Sequence, residues 1–241
     1  MKESEKIINW IRNYFEESKG CKAVIGISGG MDSTLCASLL VKALGPENVI
    51  GVLLPQGKQW DIDVSYDVCN MLGIKYYEIN IGDTVKELSK QVSGAMGVDA
   101  NSYDVYKTNT PARIRMTSLY GVCGIVGGRV VNTCNLSEDY VGYNTKFGDS
   151  AGDFSILSSF TKTECRALAR EIGVPERFIV KVPEDGMSGK SDEEKLGFSY
   201  EVLDHYIRTG EISDLKIKEK IDRLHRINLH KLQPMPGYVK E

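Results

Sequence analysis

Residues 22–34 read KAVIGISGGMDST and join a short apolar run to a predicted helix through a pair of glycines. The run at 22–28 is rich in β-branched residues, which is typical of a buried strand. From Asp32 to about Ala43 the pattern is helical, and Gly45-Pro46 ends it. A glycine turn between strand and helix lets successive backbone N–H groups point at one anion, and the helix N-terminus adds a favourable dipole. The segment therefore predicts a phosphate-binding loop.

The polar residues of this loop separate that prediction from its alternatives. The lysine of a GxxxxGK[ST] loop is absent, and the glycine spacing is not GxGxxG. The segment does match GxSxG, the nucleophile elbow of α/β-hydrolases, with Ser28 as the nucleophile. An elbow normally follows several strands, however, and only one helix and one strand fit before Ser28. A purely structural turn would not need the hydroxyls of Ser28, Ser33 and Thr34 together with Asp32, whose carboxylate suits magnesium on a polyphosphate.

Strands and helices alternate along the rest of the chain. This alternation indicates βαβ units, and hence an α/β fold with a parallel sheet and helices on both faces. Thr161-x-x-Glu164 and Ser191-x-x-Glu194 each fit a capping box and support two helix starts. A polar, glycine-rich loop is expected at 142–153, and a basic tail with prolines closes the chain. Strands are predicted at 22–28, 49–55, 74–80 and 129–135, and helices at 4–18, 32–43, 61–72, 82–93, 109–126, 163–172 and 192–208.

Composition limits the classes of protein that fit. The 241 residues carry a formal net charge of −3, which gives no global attraction to nucleic acid or to an anionic membrane, so phosphates must be held by local groups. We expect one domain over residues 1–241. No apolar run approaches the roughly 18 residues of a membrane helix, and MKESEKIINW does not resemble a secretion signal. The six cysteines are scattered without a CxxC pair, which argues against a zinc site or disulfides and predicts a cytoplasmic protein.

Several motifs together resemble one known family. SGGMDS at 28–33 resembles the SGGxDS pyrophosphate loop of the N-type ATP pyrophosphatases, which transfer AMP from ATP to an acceptor and release pyrophosphate. ARIRMTSLY at 112–120 is similar to the AR-x-RM-x-x-LY helix of NAD synthetases within that group. NTCNLSEDYVGYNTKFGD at 132–149 resembles their GT-x-N-x-SE…GY-x-TK-x-GD stretch, and the likeness runs from about residue 4 to 232. The chain is thus similar to ammonia-dependent NAD synthetases.

This resemblance implies a fold, a reaction and a set of partners. The fold is a Rossmann-like, doubly wound parallel sheet of the adenine nucleotide α-hydrolase type. The reaction is amidation of deamido-NAD to NAD through an NAD-adenylate, with ATP and ammonia as co-substrates and no covalent nucleophile from the protein. The family forms homodimers with the deamido-NAD site across the interface. The roughly 20 residues before the first strand are too few for a glutaminase domain, so free ammonia is the expected nitrogen source.

The resemblance also assigns roles to individual residues. Asp32 and Glu138 are expected to bind Mg²⁺, and Thr133 and Lys162 to contact ATP. The phosphates are expected on Gly26, Ile27, Ser28, Gly29, Gly30, Met31, Asp32 and Ser33, and deamido-NAD on Arg113, Lys146, Asp153, His230 and Lys231. Two positions depart from the family pattern. Asn132 stands where glycine usually precedes Thr133, and Glu184-Asp185 stands where a small hydroxyl residue often contacts ATP.

The residues alone leave some of these roles open. Residues 137–139 could be an ordinary helix start with acidic first-turn residues, and Arg115 fits a ligand role as well as Arg113 does. Lys162 opposes the dipole at its helix start, which a phosphate contact explains better than a surface position does. His205 and His225 are predicted on helix surfaces.

Two rival functions are weaker. Gly148 to Asp153 superficially resembles the GDSGG motif of chymotrypsin-type proteases, but all three histidines follow it, which is the wrong chain order for that triad. A tRNA thiolase of the same superfamily would show a basic surface and usually a CxxC pair, so no nucleic-acid partner is expected.

Overall fold

A computed structural model describes residues 1–19, 21–181 and 191–239. Its centre is a sheet of five strands in the order β3-β2-β1-β4-β5, and all four neighbouring pairs are parallel. The chain runs outward from β1 to β3 and then crosses back to β4, so the strand order reverses between β1 and β4, which is where parallel sheets of this kind place ligands. The strands are β1 Lys22–Gly26, β2 Val49–Leu53, β3 Lys75–Glu78, β4 Gly128–Asn132 and β5 Phe154–Ser155.

Helices connect the strands and cover the sheet. Short 3₁₀ turns at Pro46–Asn48, Ala100–Ser102 and Leu229–Lys231 complete the described structure. The α-helices are α1 Glu3–Glu17, α2 Met31–Leu44, α3 Ile62–Leu72, α4 Gly82–Met96, α5 Asp104–Val126, α6 Leu136–Val141, α7 Lys162–Glu171, α8 Glu176–Ile179, α9 Asp192–Leu196, α10 Tyr200–Thr209 and α11 Leu215–Asn228. Within the described residues no helix is long and apolar enough to cross a membrane.

The two faces of the sheet carry separate apolar layers. Ala23 and Ile25 of β1 pack with residues of α1, α2, α3, α7 and α8. Val24, which points the opposite way, packs with Met116 and Leu119 of α5. Successive strand residues point to opposite faces, so an apolar run serves both layers. The predicted parallel α/β fold with helices on both faces is confirmed.

A third apolar cluster lies beside the carboxyl edge of the sheet. It contains Val141 of α6, Leu203 of α10 and Ile221 of α11, with Tyr200 and Phe198 between them. This cluster fixes α6, which follows β4, against the C-terminal helices. It therefore sets the position of any ligand group that α6 carries.

Several predicted boundaries are wrong. The helix predicted at 192–208 is two helices, because Gly197 ends α9 in a left-handed conformation with φ of 75°. The α5 helix begins at Asp104 rather than at 109, and Pro111 lies inside it. The strand predicted at 129–135 ends at Asn132, because Asn135 already caps α6. Three elements, β5, α8 and α11, were not predicted from the sequence, and α6 corresponds to the helix start left open at residues 137–139. Gly20, at which the sequence predicts the end of the first helix, lies outside the described residues.

Candidate functional site

The loop after β1 forms a compact turn above the end of the strand. Ser28 Oγ lies 3.1 Å from Ser33 Oγ and accepts a hydrogen bond from the Gly30 N–H at 3.2 Å. Ser33 and Thr34 hydroxyls donate to the Gly30 carbonyl at 3.1 and 2.8 Å. The serines therefore brace the loop, and none of these partners of Ser28 is a base that could activate a nucleophile.

The first N–H groups of α2 are available to a ligand. Gly30 is the N-cap of α2, and no side chain caps the helix. The first turn of an α-helix has N–H groups without partners inside the helix, and these groups with the helix dipole attract anions. The turn from Gly29 to Asp32 therefore presents N–H groups that suit an anion.

Gly29 is required by both conformation and space. Its φ of +73° is left-handed, and an added Cβ would lie 3.1 Å from Val64 Cβ and 3.2 Å from the Ser65 nitrogen. The Val64–Ser65 backbone belongs to α3, which packs directly under the turn. A side chain at Gly29 would strain the loop and push it from α3.

Three charged side chains meet below the loop. Lys162 Nζ lies 2.6 Å from Asp32 Oδ2 and 3.0 Å from Glu138 Oε1. The lysine side chain is 5% exposed, and both carboxylate side chains are 16% exposed. Asp32 is the second residue of α2, Glu138 lies in the first turn of α6, and Lys162 begins α7, so three elements contribute one group each. This trio of Asp32, Glu138 and Lys162 is called the charged cluster below.

One ammonium does not neutralise two carboxylates, and the pKa values reflect this. Burial, with repulsion from Asp32, raises the pKa of Glu138 to about 7 even though Lys162 opposes the shift. Burial alone would lower the pKa of Lys162, but attraction by Asp32 and Glu138 outweighs it and raises the pKa well above its ordinary value. The charged cluster therefore holds two mutually repelling carboxylates against one ammonium in a largely buried site.

The charged cluster has the chemistry of a magnesium site. Asp32 Oδ1 is buried and has no hydrogen-bond partner in the described structure. Carboxylate oxygens suit Mg²⁺, which usually binds one or two protein carboxylates and completes its shell with phosphates and water. Among the described residues no group of three or more His, Cys, Asp or Glu could hold a metal without such help. The residues fit a metal that is bound jointly with a polyphosphate.

Asn132, the departure from the family glycine, has a structural role. Its Nδ2 donates to the Asp149 carbonyl at 2.9 Å, and its Oδ1 accepts from the Cys134 N–H at 3.0 Å and the Ser155 hydroxyl at 3.2 Å. The buried amide thereby joins the end of β4 to β5 and to the loop before it. Thr133, the predicted ATP contact, follows at the carboxyl edge of β4 and is half-buried.

Four of the five residues predicted to contact deamido-NAD lie along one strip. Arg113 Nε donates to the Lys146 carbonyl at 3.2 Å, and Lys146 Nζ donates to the His230 carbonyl at 2.5 Å. Lys231 Nζ donates to the Gly142 and Asn144 carbonyls at 2.7 and 2.8 Å. The 142–148 loop is thus surrounded by cationic side chains.

Asp153 has partners elsewhere. Its Oδ2 accepts from the Val130 N–H of β4 at 2.7 Å, and its Oδ1 accepts from the Tyr120 hydroxyl at 3.3 Å. The hydrogen bonds of Asp153 therefore do not join it to the cationic strip. Arg115, the alternative to Arg113, donates to the Leu54 carbonyl at 3.1 Å, which gives it a structural partner after β2.

The sequence analysis missed a buried link behind the charged cluster. Asp204 of α10 is 4% exposed and accepts hydrogen bonds from the Ser137 hydroxyl and, at 2.7 Å, from the Thr163 N–H. Ser137 Oγ in turn accepts from the Lys162 N–H at 2.9 Å. Asp204 thus ties the start of α6 to the start of α7. Its only sequence signal was its place within residues 4–232, over which the chain resembles the family.

Two further predictions concern residues near this site. His225 is not a plain surface residue, because it stacks on Tyr140 with ring centroids 4.0 Å apart and its Nδ1 lies 2.8 Å from the Tyr140 carbonyl oxygen. His205 is exposed, as predicted. Glu184 and Asp185 lie outside the described residues.

Comparisons with known proteins identify the family of the chain. A family model described as NAD synthase matches residues 3–236. The NH(3)-dependent NAD(+) synthetase of Thermococcus sibiricus is 37% identical over 238 residues, which are 98% of this chain and 91% of that protein. The solved NMN synthetase of Francisella tularensis has a TM-score of 0.86 and 30% identity, with 98% of this chain and 96% of that chain covered. The NH3-dependent NAD synthetase of Campylobacter jejuni has a TM-score of 0.78 and 29% identity, with 98% and 97% covered.

These matches extend over nearly the whole length of the chain and include proteins of the predicted type. The turn after β1 and the charged cluster lie at the carboxyl ends of β1 and β4, where a fold with this strand order places ligands. The chain therefore belongs to the NAD synthase family.

Proposed function

We propose that this protein is a ligase that amidates deamido-NAD to NAD with ammonia, at the expense of ATP, and releases AMP and pyrophosphate. The observation that carries the proposal is the charged cluster, which lies beside the bare N-terminus of α2 at the carboxyl edge of β1 and β4. A phosphate-binding turn with two carboxylates is the arrangement that ATP with a divalent cation requires. The relatives named NH(3)-dependent NAD(+) synthetase support the choice of acceptor and nitrogen source.

The first step forms NAD-adenylate. An oxygen of the nicotinate carboxylate bonds to the α-phosphorus of ATP, and the bond from that phosphorus to pyrophosphate breaks. The N–H groups from Gly29 to Asp32 hold the departing phosphates, and Lys162 adds a positive charge. Asp32 and Glu138 would hold Mg²⁺, which would supply further charge neutralisation when bound. Such transfers depend mainly on positioning and electrostatics, so the protein supplies no covalent nucleophile.

The second step uses the mixed anhydride made in the first. The nitrogen of neutral ammonia bonds to the carboxyl carbon, the bond to the AMP oxygen breaks, and the nitrogen loses a proton to solvent. The anhydride is also open to hydrolysis, so the protein must shield it from water. We assign deamido-NAD to the strip of Arg113, Lys146, His230 and Lys231, with Asp153 contacting a separate part of the dinucleotide. This strip offers cationic donors next to a loop, which suits a ligand with two phosphates.

A second acceptor has a specific observation in its favour. The Francisella protein, whose TM-score is 0.86, is an NMN synthetase, and its acceptor is therefore a mononucleotide. The adenylation and amidation of nicotinate mononucleotide would be the same chemistry on a smaller substrate. The two candidates differ only in whether the adenosine half of the dinucleotide is recognised.

One assay separates these possibilities. The protein is incubated with ATP, Mg²⁺ and ammonium, with either deamido-NAD or nicotinate mononucleotide, and NAD, NMN, AMP and pyrophosphate are quantified. The proposal predicts NAD with equal amounts of AMP and pyrophosphate, and a higher kcat/KM for deamido-NAD. A higher value for the mononucleotide would favour the second candidate. Release of ADP instead of AMP would contradict both.

A further inference from the structure

In the charged cluster, Lys162 contacts both carboxylates that are assigned to the metal. Lys162 Nζ lies 2.6 Å from Asp32 Oδ2 and 3.0 Å from Glu138 Oε1. Its side chain is 5% exposed, and its Nζ also lies 5.3 Å from the centroid of the Tyr200 ring. The ammonium therefore contacts both carboxylates that are assigned to magnesium.

Without this ammonium, Asp32 and Glu138 would be two buried like charges. Like charges in a buried site raise the free energy of the folded state, and an ion pair that loses one partner is strongly destabilising. Lys162 consequently serves the empty protein as an internal counter-ion.

A divalent cation on these carboxylates would lie close to the Lys162 ammonium, because Lys162 Nζ is 2.6 Å from Asp32 Oδ2 and 3.0 Å from Glu138 Oε1. Two cations so close together would repel each other strongly, since the surroundings are largely buried.

The nucleotide offers the ammonium another partner. Asp32 is the second residue of α2, so the carboxylate that Lys162 contacts lies within one turn of the proposed phosphate site. A phosphate on the α2 N–H groups would present anionic oxygens beside Lys162, and a lysine side chain has four flexible carbons with which to turn toward them. Two buried polar atoms beside this site, Asp32 Oδ1 and the Tyr200 hydroxyl, have no hydrogen-bond partner among the described residues.

We propose that Lys162 is a resident cation that excludes free divalent metal from Asp32 and Glu138 until ATP arrives, and that it then transfers from the carboxylates to the phosphates. Metal and nucleotide therefore bind together rather than metal first. The transfer half of this proposal rests on the proposed function, because it requires ATP at the loop. The exclusion half concerns the nucleotide-free protein alone.

The test measures Mn²⁺ binding to the full-length protein without nucleotide, by the electron paramagnetic resonance signal of free Mn²⁺. Lys162→Met removes the charge and nearly keeps the shape. We expect it to bind Mn²⁺ at least about tenfold more tightly than the unaltered protein, since a nearby repelling charge is gone. Mg²⁺ should also raise the melting temperature of Lys162→Met and leave that of the unaltered protein unchanged.

Matched variants make the result specific. Lys181→Met also removes a lysine, one whose Nζ lies 2.6 Å from Asp61 Oδ2, and it should leave Mn²⁺ affinity unchanged. Adding Glu138→Gln to Lys162→Met should abolish the gain. Lys162→Gln repeats the test with a polar replacement in case the methionine variant folds poorly.

Two outcomes overturn the proposal. One is a folded Lys162 variant that binds Mn²⁺ no better than the unaltered protein. The other needs no variant: the unaltered protein binds Mn²⁺ equally tightly with and without α,β-methylene-ATP. Failure of the proposed function is a separate result, because it appears as absent NAD formation and leaves Mn²⁺ binding to the empty protein untouched.

Discussion

Some single residues of the site cannot be substituted without loss of stability or activity. Gly29 is the clearest backbone example. We expect Gly29→Ala to lower the free energy of unfolding by about 1–2 kcal/mol or more, because it combines left-handed strain with a contact of 3.1 Å to Val64. Its kcat/KM for ATP should fall further than the stability change explains, since the loop amides move.

Gly73→Ala is the matched control for this prediction. Gly73 also has a positive φ, +64°, but an added Cβ there would meet no atom within 4 Å. The Gly73→Ala variant should lose only the stability that backbone strain costs, as measured by chemical denaturation. Its kcat/KM for ATP should be unchanged. Equal losses of activity in both variants would contradict the role given to the loop.

Asp139 offers a pH-dependent prediction beside the charged cluster. Burial, with repulsion from Asp149, raises its pKa from 3.8 to about 6, although Asn144 donates to its Oδ1 at 2.7 Å. Between pH 3.8 and about 6, the folded protein therefore binds more protons at this carboxyl group than the unfolded protein does. Its contribution to stability is therefore complete below about pH 4 and is lost as the pH rises through about 6.

Asp139→Asn should remove this dependence. At pH 8 we expect the free energy of unfolding of the variant to exceed that of the unaltered protein by about 1–2 kcal/mol, and at pH 4 we expect little difference. This figure is reduced to allow for the partial exposure of the group. Free energies of unfolding in urea at several pH values measure the difference. Parallel pH curves for the two proteins would show that burial of Asp139 does not matter.

At the scale of secondary-structure elements, helix ends and one buried carboxylate position the catalytic groups. Asp204 joins α6 and α7 through the Ser137 hydroxyl and the Thr163 N–H. We expect Asp204→Ala to lower the free energy of unfolding by about 2–4 kcal/mol, because it leaves buried donors unpaired. Its kcat should fall as well, since Glu138 and Lys162 stand at the starts of these two helices.

Asp222→Ala is a comparable change outside the site. Asp222 links α10 to α11 by accepting from the Tyr206 hydroxyl at 2.6 Å, and from Lys218 at 2.7 Å. It should lose stability without a change in kcat. If both variants lost kcat in proportion to stability, Asp204 would be a structural residue only.

The sequence predicted the elements that carry strong local signals. Gly45 and Gly73 end α2 and α3 with positive φ, and the Thr161 capping box starts α7. Elements with weak local signals were not predicted correctly. The β5 strand has two residues and is too short for a periodic pattern, and Pro111 inside α5 led to a predicted start that is too late in the chain. The apolar face of α11, which includes Ile217, Ile221 and Leu224, was overlooked within a basic segment.

Some features of the candidate site could be predicted from local sequence motifs, and others could not. The loop glycines and the carboxylates Asp32 and Glu138 were predicted from motifs, and the structure places the two carboxylates around one ammonium. The present partners of Lys162 and the role of Asp204 depend on how three helices pack, which no local pattern encodes. Arg113 and Lys146 were predicted as ligands by resemblance, and these roles stay predictions.

At the scale of the whole molecule, α5 presents a surface that suits a second copy of the chain. Its exposed positions recur on one face and include Tyr120 and Ile125, which are 40% and 87% exposed. A Cβ built on Gly121 or Gly124 would meet no atom within 4 Å, so another helix could approach closely there. An apolar helix face of this kind favours a symmetric dimer. We propose that the homodimer forms here.

Ile125→Asp tests the dimer. The variant should elute as a monomer in size-exclusion chromatography with light scattering, because a charge would be buried in the interface. It should also lose affinity for deamido-NAD while keeping affinity for ATP, if the dinucleotide site spans the interface. Ile227→Asp on α11, where the isoleucine is 50% exposed, is the control and should remain dimeric. A dimeric Ile125→Asp would place the interface elsewhere.

The central claim is that ATP binds with its phosphates on the turn after β1 and shares a divalent cation with two acidic side chains. A crystal structure of the protein with α,β-methylene-ATP and Mg²⁺ tests it most directly. We predict phosphate oxygens on the N–H groups from Gly29 to Asp32, magnesium between Asp32 and Glu138, and Lys162 Nζ on a phosphate instead of on the carboxylates. A nucleotide bound away from this turn, with Lys162 still between the two carboxylates, would contradict it.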